Sequence, residues 1–212
     1  MNPYQPLPIP GALLLEPVVH GDSRGGLHEW YKADEFTEAA GHPFLPAQGN
    51  MSVSAAGVVR GVHFADVPPG QAKMVTCPHG RVLDVLVDLR VGSPSFGEHH
   101  VVELGGDAKR VVYLPIGVGH AFVSLEEGSV VSYLLSDAYA PDREHGVDPR
   151  DPELGLDLPG LLGGLEPILS DRDLAAPSLA EARAAGWLPT WADCREFEEQ
   201  LRDGWATAMG DD

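Results

Sequence analysis

Residues Lys73–Leu89 read KMVTCPHGRVLDVLVDL, two runs of mostly β-branched and other apolar residues on either side of a turn at His79-Gly80. Side chains of this kind pack well on a pleated surface, and glycine adopts the backbone angles that tight turns need. Each run is short, which suits a strand better than a helix. The stretch therefore predicts two strands, Lys73–Cys77 and Arg81–Leu89.

Similar short runs continue on both sides of this stretch. Turns rich in Gly and Pro separate them, as at Pro68-Pro69-Gly70, Gly92-Ser93-Pro94 and Gly105-Gly106-Asp107. About eight strands at this spacing predict a mainly β protein, with a closed or double-sheet antiparallel barrel of the jelly-roll type. The remaining strands are predicted at Met51–Ser54, Val58–His63, His99–Leu104, Arg110–Leu114, Ala121–Leu125 and Val130–Leu135.

The flanking regions are less regular. We expect an extended N-terminal arm over about residues 1–20, a loop from His20 to Gly26, and a chain without regular structure from Pro141 to Gly164. Helical spacing predicts short helices at Ala33–Ala40 and Leu179–Ala185. A last helix is predicted at Ala192–Met209, capped by Thr190 or Asp193, so that a helical C-terminal region spans about residues 179–209. With no linker or repeat in the sequence, we expect residues 1–212 to form a single domain.

The composition excludes some partners. The net charge is −18, from 14 Lys and Arg against 32 Asp and Glu, which disfavours binding to nucleic acid or to an anionic membrane. An anionic small ligand would need a local cluster of basic residues. The two cysteines, Cys77 and Cys194, form no CxxC pair, and we find no signal peptide or membrane span. We therefore expect a soluble cytoplasmic protein.

The first two candidates for chemistry are His63 and Lys73, on neighbouring predicted strands. In Arg60-Gly-Val-His63-Phe, Arg60 and His63 point to opposite faces of a strand unless a bulge at Gly61 redirects one of them. A lone histidine on such a wall is often bound only to a backbone carbonyl. Lys73 favours a functional interpretation, because a lysine inside a β barrel is costly to bury.

A third candidate is His120, in Leu114-Pro-Ile-Gly-Val-Gly-His120-Ala-Phe. A PxGxxH turn that leads into a strand is typical of cupin barrels, where this histidine points into the barrel mouth and in many members binds a metal. The HxH-plus-Glu motif that supplies the other ligands is missing, and His99 and His100 face opposite sides of a strand. Two inward histidines without a carboxylate make a poor metal site, so we predict no metal.

Tyr133 completes the set, on a strand that can turn its hydroxyl inward, although a buried tyrosine with a satisfied hydroxyl is common. A histidine base on one face of a substrate and a tyrosine acid on the other suit proton exchange at a carbon next to a carbonyl. Lys73 or a histidine would then stabilise the enolate oxygen. The residues thus indicate His63, Lys73, His120 and Tyr133 as the lining of a barrel without a metal.

Several motifs in order give the sequence a specific family resemblance, which runs from about Leu15 to Ser178. The chain resembles the dTDP-4-dehydrorhamnose 3,5-epimerases, a family of cupin-type jelly rolls. The motifs that carry the resemblance are Arg60-Gly-Val-His63-Phe, Gln71-Ala-Lys73, Gly80–Arg90, Gly92–Gly97, Pro115-x-Gly-x-x-His120-x-Phe122 and Tyr139-x-Pro141.

The resemblance implies epimerisation of dTDP-4-keto-6-deoxyglucose at C3 and C5 without a cofactor. By resemblance, His63 is the base, supported by Asp173 in Ser170-Asp-Arg-Asp173, while Tyr133 returns the proton and Lys73 stabilises the enolate. It also implies a homodimer, with Arg24 on an exchanged N-terminal strand. The residues that match substrate contacts in the family are Arg24, Glu29, Gln48, Asn50, Arg60, His120, Tyr139, Glu144 and Arg172.

Some positions depart from the family pattern, and we expect these changes to cluster where the sugar is oriented. They are Leu27, Gly49, Ala121, Leu134, Pro149 and Leu158. Three alternatives therefore stay open. One is a mono-epimerase that inverts only C3 or only C5, another is a cupin that binds a sugar nucleotide without catalysis, and the third is a metal-dependent cupin enzyme.

Overall fold

A computed structural model describes residues 2–210, and its strands form two main antiparallel sheets and a separate hairpin. The strands, in chain order, are β1 (Tyr4–Pro6), β2 (Leu13–Leu15), β3 (His20–Asp22), β4 (Gly25–Leu27), β5 (Gln48–Ser54), β6 (Val59–Ala65), β7 (Lys73–His79), β8 (Arg81–Asp88), β9 (His99–Gly105), β10 (Val111–Leu114), β11 (Val118–Ser124), β12 (Ser129–Leu135) and β13 (Glu144–Gly146).

The two sheets are arranged as in a double-sheet jelly roll. A six-stranded sheet has the order β1-β2-β10-β7-β12-β5, and a five-stranded sheet has the order β13-β6-β11-β8-β9. Within residues 2–210 they do not close into one barrel, so of the two predicted forms the double sheet is the observed one. The predicted mainly β fold is confirmed.

The core lies between the sheets, and both sheets are also covered on their outer faces. Leu86, Phe122 and Val131 belong to the central cluster. A second cluster covers the six-stranded sheet with Phe36 and Cys194 from helices, and a third covers the five-stranded sheet. Strands buried on both faces need apolar residues at nearly every position, which explains why the runs from Lys73 to Leu89 are continuous rather than alternating.

The predicted helices are confirmed with small shifts in their ends. They are α1 (Ala33–Ala40), α4 (Leu179–Ala184) and α5 (Trp191–Gly210), and α2 (Leu158–Leu162) and α3 (Asp171–Leu174) add two short ones. Of the two suggested caps for α5, Thr190 is the one used, because its hydroxyl accepts a hydrogen bond from the amide of Asp193 at 3.1 Å. No helix in the described part of the chain is long and apolar enough to cross a membrane.

Two predictions about irregular regions were wrong. The predicted loop at residues 20–26 is the hairpin β3–β4, and residues 141–164 contain β13, α2 and two 3-10 helices at Pro141–Arg143 and Pro152–Leu154. The arm before residue 20 also contributes β1 and β2, which continue the six-stranded sheet through β10. These strands are only three residues long, so local sequence gave too little periodicity to reveal them.

Candidate active site

Side chains from both sheets line one cleft. Strands β5, β7 and β12 contribute from the six-stranded sheet, and β6, β11 and β13 contribute from the five-stranded sheet. Most of the predicted site residues meet here although they are far apart in the sequence. The lining consists of Asn50, Arg60, His63, Gln71, Lys73, His120, Phe122, Tyr133, Leu135, Tyr139, Glu144 and Arg172.

A β-bulge brings Arg60 and His63 to the same cleft. His63 pairs with His120 and Arg60 pairs with Phe122, so that Gly61 and Val62 together oppose the single residue Ala121. The extra residue reverses the alternation of side chains beyond it. Gly61 adopts a φ of +107°, and a Cβ atom there would collide with the carbonyl oxygen of His120. The bulge considered in the sequence is therefore present, and it requires glycine at position 61.

His63 forms a pair with a buried carboxylate. Its Nε2 lies 2.6 Å from Oδ1 of Asp173, which is 4% exposed at the start of α3. The Ser170 hydroxyl donates to Oδ2 of Asp173 at 2.9 Å. Burial alone would raise the pKa of Asp173, but the hydrogen bonds from His63 and Ser170, together with the charge of His63, hold it below its usual value. The carboxylate is therefore ionised and acts as an acceptor.

Lys73 points into the cleft from β7 with little access to water. Its side chain is 6% exposed, and Nζ lies 3.5 Å from the carbonyl oxygen of His63. Burial lowers the pKa of Lys73, while the charges of Glu144 and Asp84 oppose that change. The lysine thus stands beside the histidine, as the sequence suggested.

His120 forms a second imidazole–carboxylate pair. Its Nε2 lies 2.6 Å from Oδ2 of Asp84, and both side chains are buried. The other oxygen of Asp84, Oδ1, is buried and has no hydrogen-bond partner within residues 2–210. This pairing fixes one ring nitrogen of His120 at the back of the cleft.

Tyr133 and a set of polar residues complete the wall formed by β5 and β12. Tyr133 pairs with Asn50 across the two strands. The Gln48 amide donates to Oδ1 of Asn50 at 2.8 Å and accepts from the backbone amide of Tyr139 at 2.9 Å. Gln48 does not line the cleft itself, but it holds two residues that do.

The basic residues divide into two groups. Arg60 and Arg172 are exposed at the cleft, where Arg172 donates to the carbonyl oxygen of Glu144 at 3.0 Å. Arg24 and Glu29 lie outside the cleft of their own chain. Arg24 is exposed on the β3–β4 hairpin, where its guanidinium pairs with Asp22. One chain therefore assembles most of the predicted site without these two residues.

The family model of the dTDP-4-dehydrorhamnose 3,5-epimerases, which describes the sequences of the family, matches residues 6–181. The chain belongs to this family. It is 56% identical to the dTDP-4-dehydrorhamnose 3,5-epimerase of Mycolicibacterium smegmatis, over 92% of this chain and 95% of that protein. The resemblance found in the sequence is thereby confirmed.

Solved structures of family members show the same fold. The RmlC epimerase of Mycobacterium tuberculosis matches with a TM-score of 0.91 and 46% identity, over 93% of this chain and 98% of that one. ChmJ, a 3′-monoepimerase from Streptomyces bikiniensis solved in complex with dTDP-quinovose, matches with a TM-score of 0.89 and 47% identity, with the same coverage. The chain is thus similar to epimerases of both specificities within the family.

Three residues of the site were missed as functional candidates in the sequence. Asp84 holds His120, Ser170 holds Asp173, and the Gln71 amide donates to Oε1 of Glu144 at 3.0 Å. Asp84 and Gln71 stand inside the family motifs, but nothing in the local pattern shows that their side chains face the cleft. An inward acidic residue in an otherwise apolar strand was the available signal for Asp84.

Contrary to the expectation from the sequence, the departures from the family pattern do not line the cleft of their own chain. Leu134 packs in the cluster under α1 and α5, on the face of β12 opposite Tyr133, and Leu27 is exposed on the hairpin. Leu158 belongs to a separate apolar cluster beneath α2. None of the six lines the cleft: Leu27, Gly49, Ala121, Leu134, Pro149 and Leu158.

The side chains at the cleft that could bind a metal include two histidines, each paired with a carboxylate. Among residues 2–210, no group of three or more His, Cys, Asp or Glu side chains is arranged to hold a metal ion. His63 and His120 each use one ring nitrogen on a separate carboxylate at 2.6 Å. The absence of a metal requirement stays a prediction.

Proposed function

We propose that the protein inverts C3 and C5 of dTDP-4-keto-6-deoxyglucose through an enolate, without a cofactor. One observation carries the proposal: a carboxylate-bound imidazole, a buried ammonium and a phenol share one cleft, at His63, Lys73 and Tyr133. A base, an electrostatic stabiliser and an acid are the three groups that epimerisation next to a ketone requires.

His63 is the base, and Nδ1 is its reacting atom. The ionised carboxylate of Asp173 can only accept a hydrogen bond, so Nε2 of His63 carries the hydrogen of that contact. Nδ1 then holds the lone pair that takes a proton from C3 or C5. The positive charge that develops on the ring is stabilised by the same carboxylate.

Lys73 and Tyr133 act on the other parts of the substrate. The ammonium of Lys73 stabilises the negative charge that moves onto the C4 oxygen when the enolate forms. A charged donor acts strongly in this way where water is excluded, and the burial of Lys73 supports that role. Tyr133 delivers a proton from the face opposite His63, which inverts the carbon.

Basic and aromatic side chains at the cleft suit the nucleotide. Arg60 and Arg172 place guanidinium groups there, and these bind the pyrophosphate. Such a local basic pair is needed because the chain as a whole has a net charge of −18. Tyr139 stacks on thymine at the rim. The proposed polar contacts come from Gln48, Asn50, His120 and Glu144.

The proposed assembly is a homodimer with exchanged N-terminal strands. Its support is that Arg24 and Glu29 lie outside the cleft of their own chain, on and beside a hairpin that joins neither main sheet. In a dimer that exchanges this hairpin, Arg24 reaches the nucleotide in the cleft of the second subunit. We also propose a single domain in the cytoplasm, in keeping with the free thiols of Cys77 and Cys194.

The test is incubation with dTDP-4-keto-6-deoxyglucose in D₂O, with a metal chelator present, followed by NMR at C3 and C5. We expect deuterium at both carbons and inversion of both. No exchange at either carbon would refute an epimerase and favour a protein that only binds the sugar nucleotide. Activity that depends on an added metal would refute a reaction without a cofactor.

The second candidate is a mono-epimerase specific for C3. It is favoured by the similarity to ChmJ, a 3′-monoepimerase at 47% identity. Double inversion is supported by five of the six departures, which lie outside the cleft, whereas Leu27 lies on the hairpin that the proposed exchange brings to the second subunit. In the same D₂O experiment, inversion at C3 with retention at C5 would establish the second candidate instead.

A further inference from the structure

Lys73 has little local compensation for a buried positive charge. Its side chain is 6% exposed, and its hydrogen bond to the carbonyl oxygen of His63 is long, at 3.5 Å. Removing an ammonium from water is costly unless negative charge lies nearby. The position of Lys73 therefore points to a carboxylate that acts on it through space.

Two carboxylates near Lys73 differ in their contacts: Glu144 lines the same cleft, and Asp84 is bound to His120 of that cleft. Asp84 lies behind His120, with Oδ2 at 2.6 Å from Nε2 of the ring and Oδ1 buried without a hydrogen-bond partner within residues 2–210. Glu144 forms no ion pair within residues 2–210, although its carboxylate faces the same cleft. The charges of both carboxylates raise the pKa of Lys73 against the effect of burial, and that of Glu144 raises it more.

Gln71 fixes the carboxylate of Glu144. Its Nε2 donates to Oε1 of Glu144 at 3.0 Å and to the carbonyl oxygen of Asp137 at 3.2 Å, which uses both amide hydrogens. Gln71 is 7% exposed, so packing restricts its rotation. An amide orients a carboxylate without cancelling its charge, whereas an arginine or lysine at this position would neutralise it.

We propose that Gln71 and Glu144 form a fixed counter-charge for the ammonium of Lys73, with Gln71 as the positioning residue. The inference rests on the proposed function and deepens it, because stabilisation of an enolate requires Lys73 in its charged form. It gives Glu144 a role in catalysis besides contact with the sugar nucleotide. The remaining titratable or charged groups of the cleft are His63, His120, Tyr133, Tyr139, Arg60 and Arg172. Asp173 lies behind His63, and Asp84 lies behind His120.

The chain has three lysines, Lys32, Lys73 and Lys109, which makes a direct titration practical. Protein labelled with ¹³C at the lysine ε-carbon is titrated by NMR, and the signal lost in Lys73→Met identifies Lys73. We expect Glu144→Gln to lower the pKa of Lys73 by about one pH unit or more. Gln71→Met, which keeps length and volume, should lower it by less.

The controls separate this effect from general changes in charge or stability. Asp142→Asn removes an exposed carboxylate two residues from Glu144 and should leave the Lys73 titration unchanged. The signal of Lys32 and the signal of Lys109 should each stay the same from one variant to the next. An unchanged curve for Lys73 in Glu144→Gln would overturn the counter-charge. A shift in Glu144→Gln with none in Gln71→Met, even with a lower melting temperature, would overturn the positioning role.

The titration uses no substrate, so its outcome is independent of the epimerase assay. A protein that is inactive in D₂O but shows the shifted Lys73 curve would refute the proposed function and leave the counter-charge intact. The pH profile of kcat/KM supplies a second measurement, because its alkaline limb reports an essential acid of the free enzyme. That limb should move to lower pH in both variants.

Discussion

At the residue scale, His63 is the group whose environment is most closely defined. Asp173 occupies one ring nitrogen, Ser170 fixes Asp173, and the His63 side chain is 31% exposed toward the cleft. One nitrogen is thus tied to the protein while the ring remains accessible to substrate. The proposed base and the residues that position it are different side chains, so each can be tested alone.

We predict that His63→Ala abolishes deuterium exchange at both C3 and C5. The loss of a general base costs about 10²–10⁴ in rate. The variant should keep its fold, because the side chain is only partly buried, and circular dichroism with thermal melting serves as the control. Exchange near the wild-type rate at either carbon would remove His63 from the mechanism at that carbon.

We predict that Tyr133→Phe separates exchange from inversion. The base and the enolate stabiliser remain, so deuterium should still enter the substrate from the His63 face, while inverted product falls sharply. NMR of the recovered sugar nucleotide measures both quantities in one sample. If inversion continues at the wild-type rate, a different group donates the second proton.

The proposed role of Lys73 requires a positive charge at a buried position, where such a charge costs stability. We predict that Lys73→Met inactivates the enzyme and raises the free energy of unfolding at neutral pH by about 1–3 kcal/mol, since it replaces a buried charge with an apolar group. Chemical denaturation measures the difference. A destabilised Lys73→Met would show that the ammonium contributes favourable interactions that exceed its desolvation cost.

The difference in the free energy of unfolding between Lys73→Met and wild type should change with pH in one direction. Burial lowers the pKa of Lys73, so between that lowered pKa and the ordinary value of about 10.5 the unfolded chain binds more protons than the folded one. Wild-type stability therefore gains from Lys73 as the pH rises through this range. The advantage of Lys73→Met should be largest near neutrality and shrink toward high pH.

At the scale of the element, strand β6 depends on its bulge. Gly61 has positive φ and lies against the backbone of His120 and Ala121, and this geometry brings both Arg60 and His63 to the cleft. Without the bulge, one of the two would face the opposite side of the sheet. The proposed base and a proposed pyrophosphate contact are therefore linked through one glycine.

We predict that Gly61→Ala destabilises the protein by about 3–4 kcal/mol and lowers activity further in the folded fraction. The matched control is Gly97→Ala, at φ +81° with open space around the added carbon, which should cost about 1–2 kcal/mol from backbone strain alone. Urea denaturation measures both. Equal losses of stability in the two variants would mean that the chain around His120 moves away from the added carbon at no cost in free energy.

At the scale of the whole molecule, the position of Arg24 can be tested by mixing subunits. We predict that Arg24→Ala weakens nucleotide affinity by about 1.5–3 kcal/mol, the scale of a lost charged hydrogen bond. His63→Ala lacks the base. In a dimer with exchanged hairpins, a hybrid of these two variants contains one site with both His63 and Arg24 intact.

Co-refolded mixtures of Arg24→Ala and His63→Ala should therefore regain affinity and turnover that neither variant has alone. If Arg24 acts within its own chain, no site of the hybrid is complete and the mixture shows only the residual activity of Arg24→Ala. A mixture of wild-type and His63→Ala chains, treated in the same way, calibrates how much hybrid forms.

The sequence by itself determined the longer strands, the main helices and the family. Alternating turns and β-branched runs are local properties, so the strands from Lys73 to Leu89 and the helices α1, α4 and α5 could be predicted to within a few residues. Motifs such as Arg60-Gly-Val-His63 likewise depend on neighbours in the chain, and they were enough to indicate the family. Strands of three residues, such as β1 and β13, lay below the length at which local pattern is informative.

The tertiary structure alone decided which groups work together. His63 and Asp173 are 110 residues apart, and His120 and Asp84 are 36 apart, so packing of distant segments selects each pair. The same holds for Gln71 and Glu144, and for the exclusion of Arg24 from the cleft of its own chain. The physical reason is that backbone preference is set within a few residues, whereas the partner of a side chain is set by the register of the sheets and by burial.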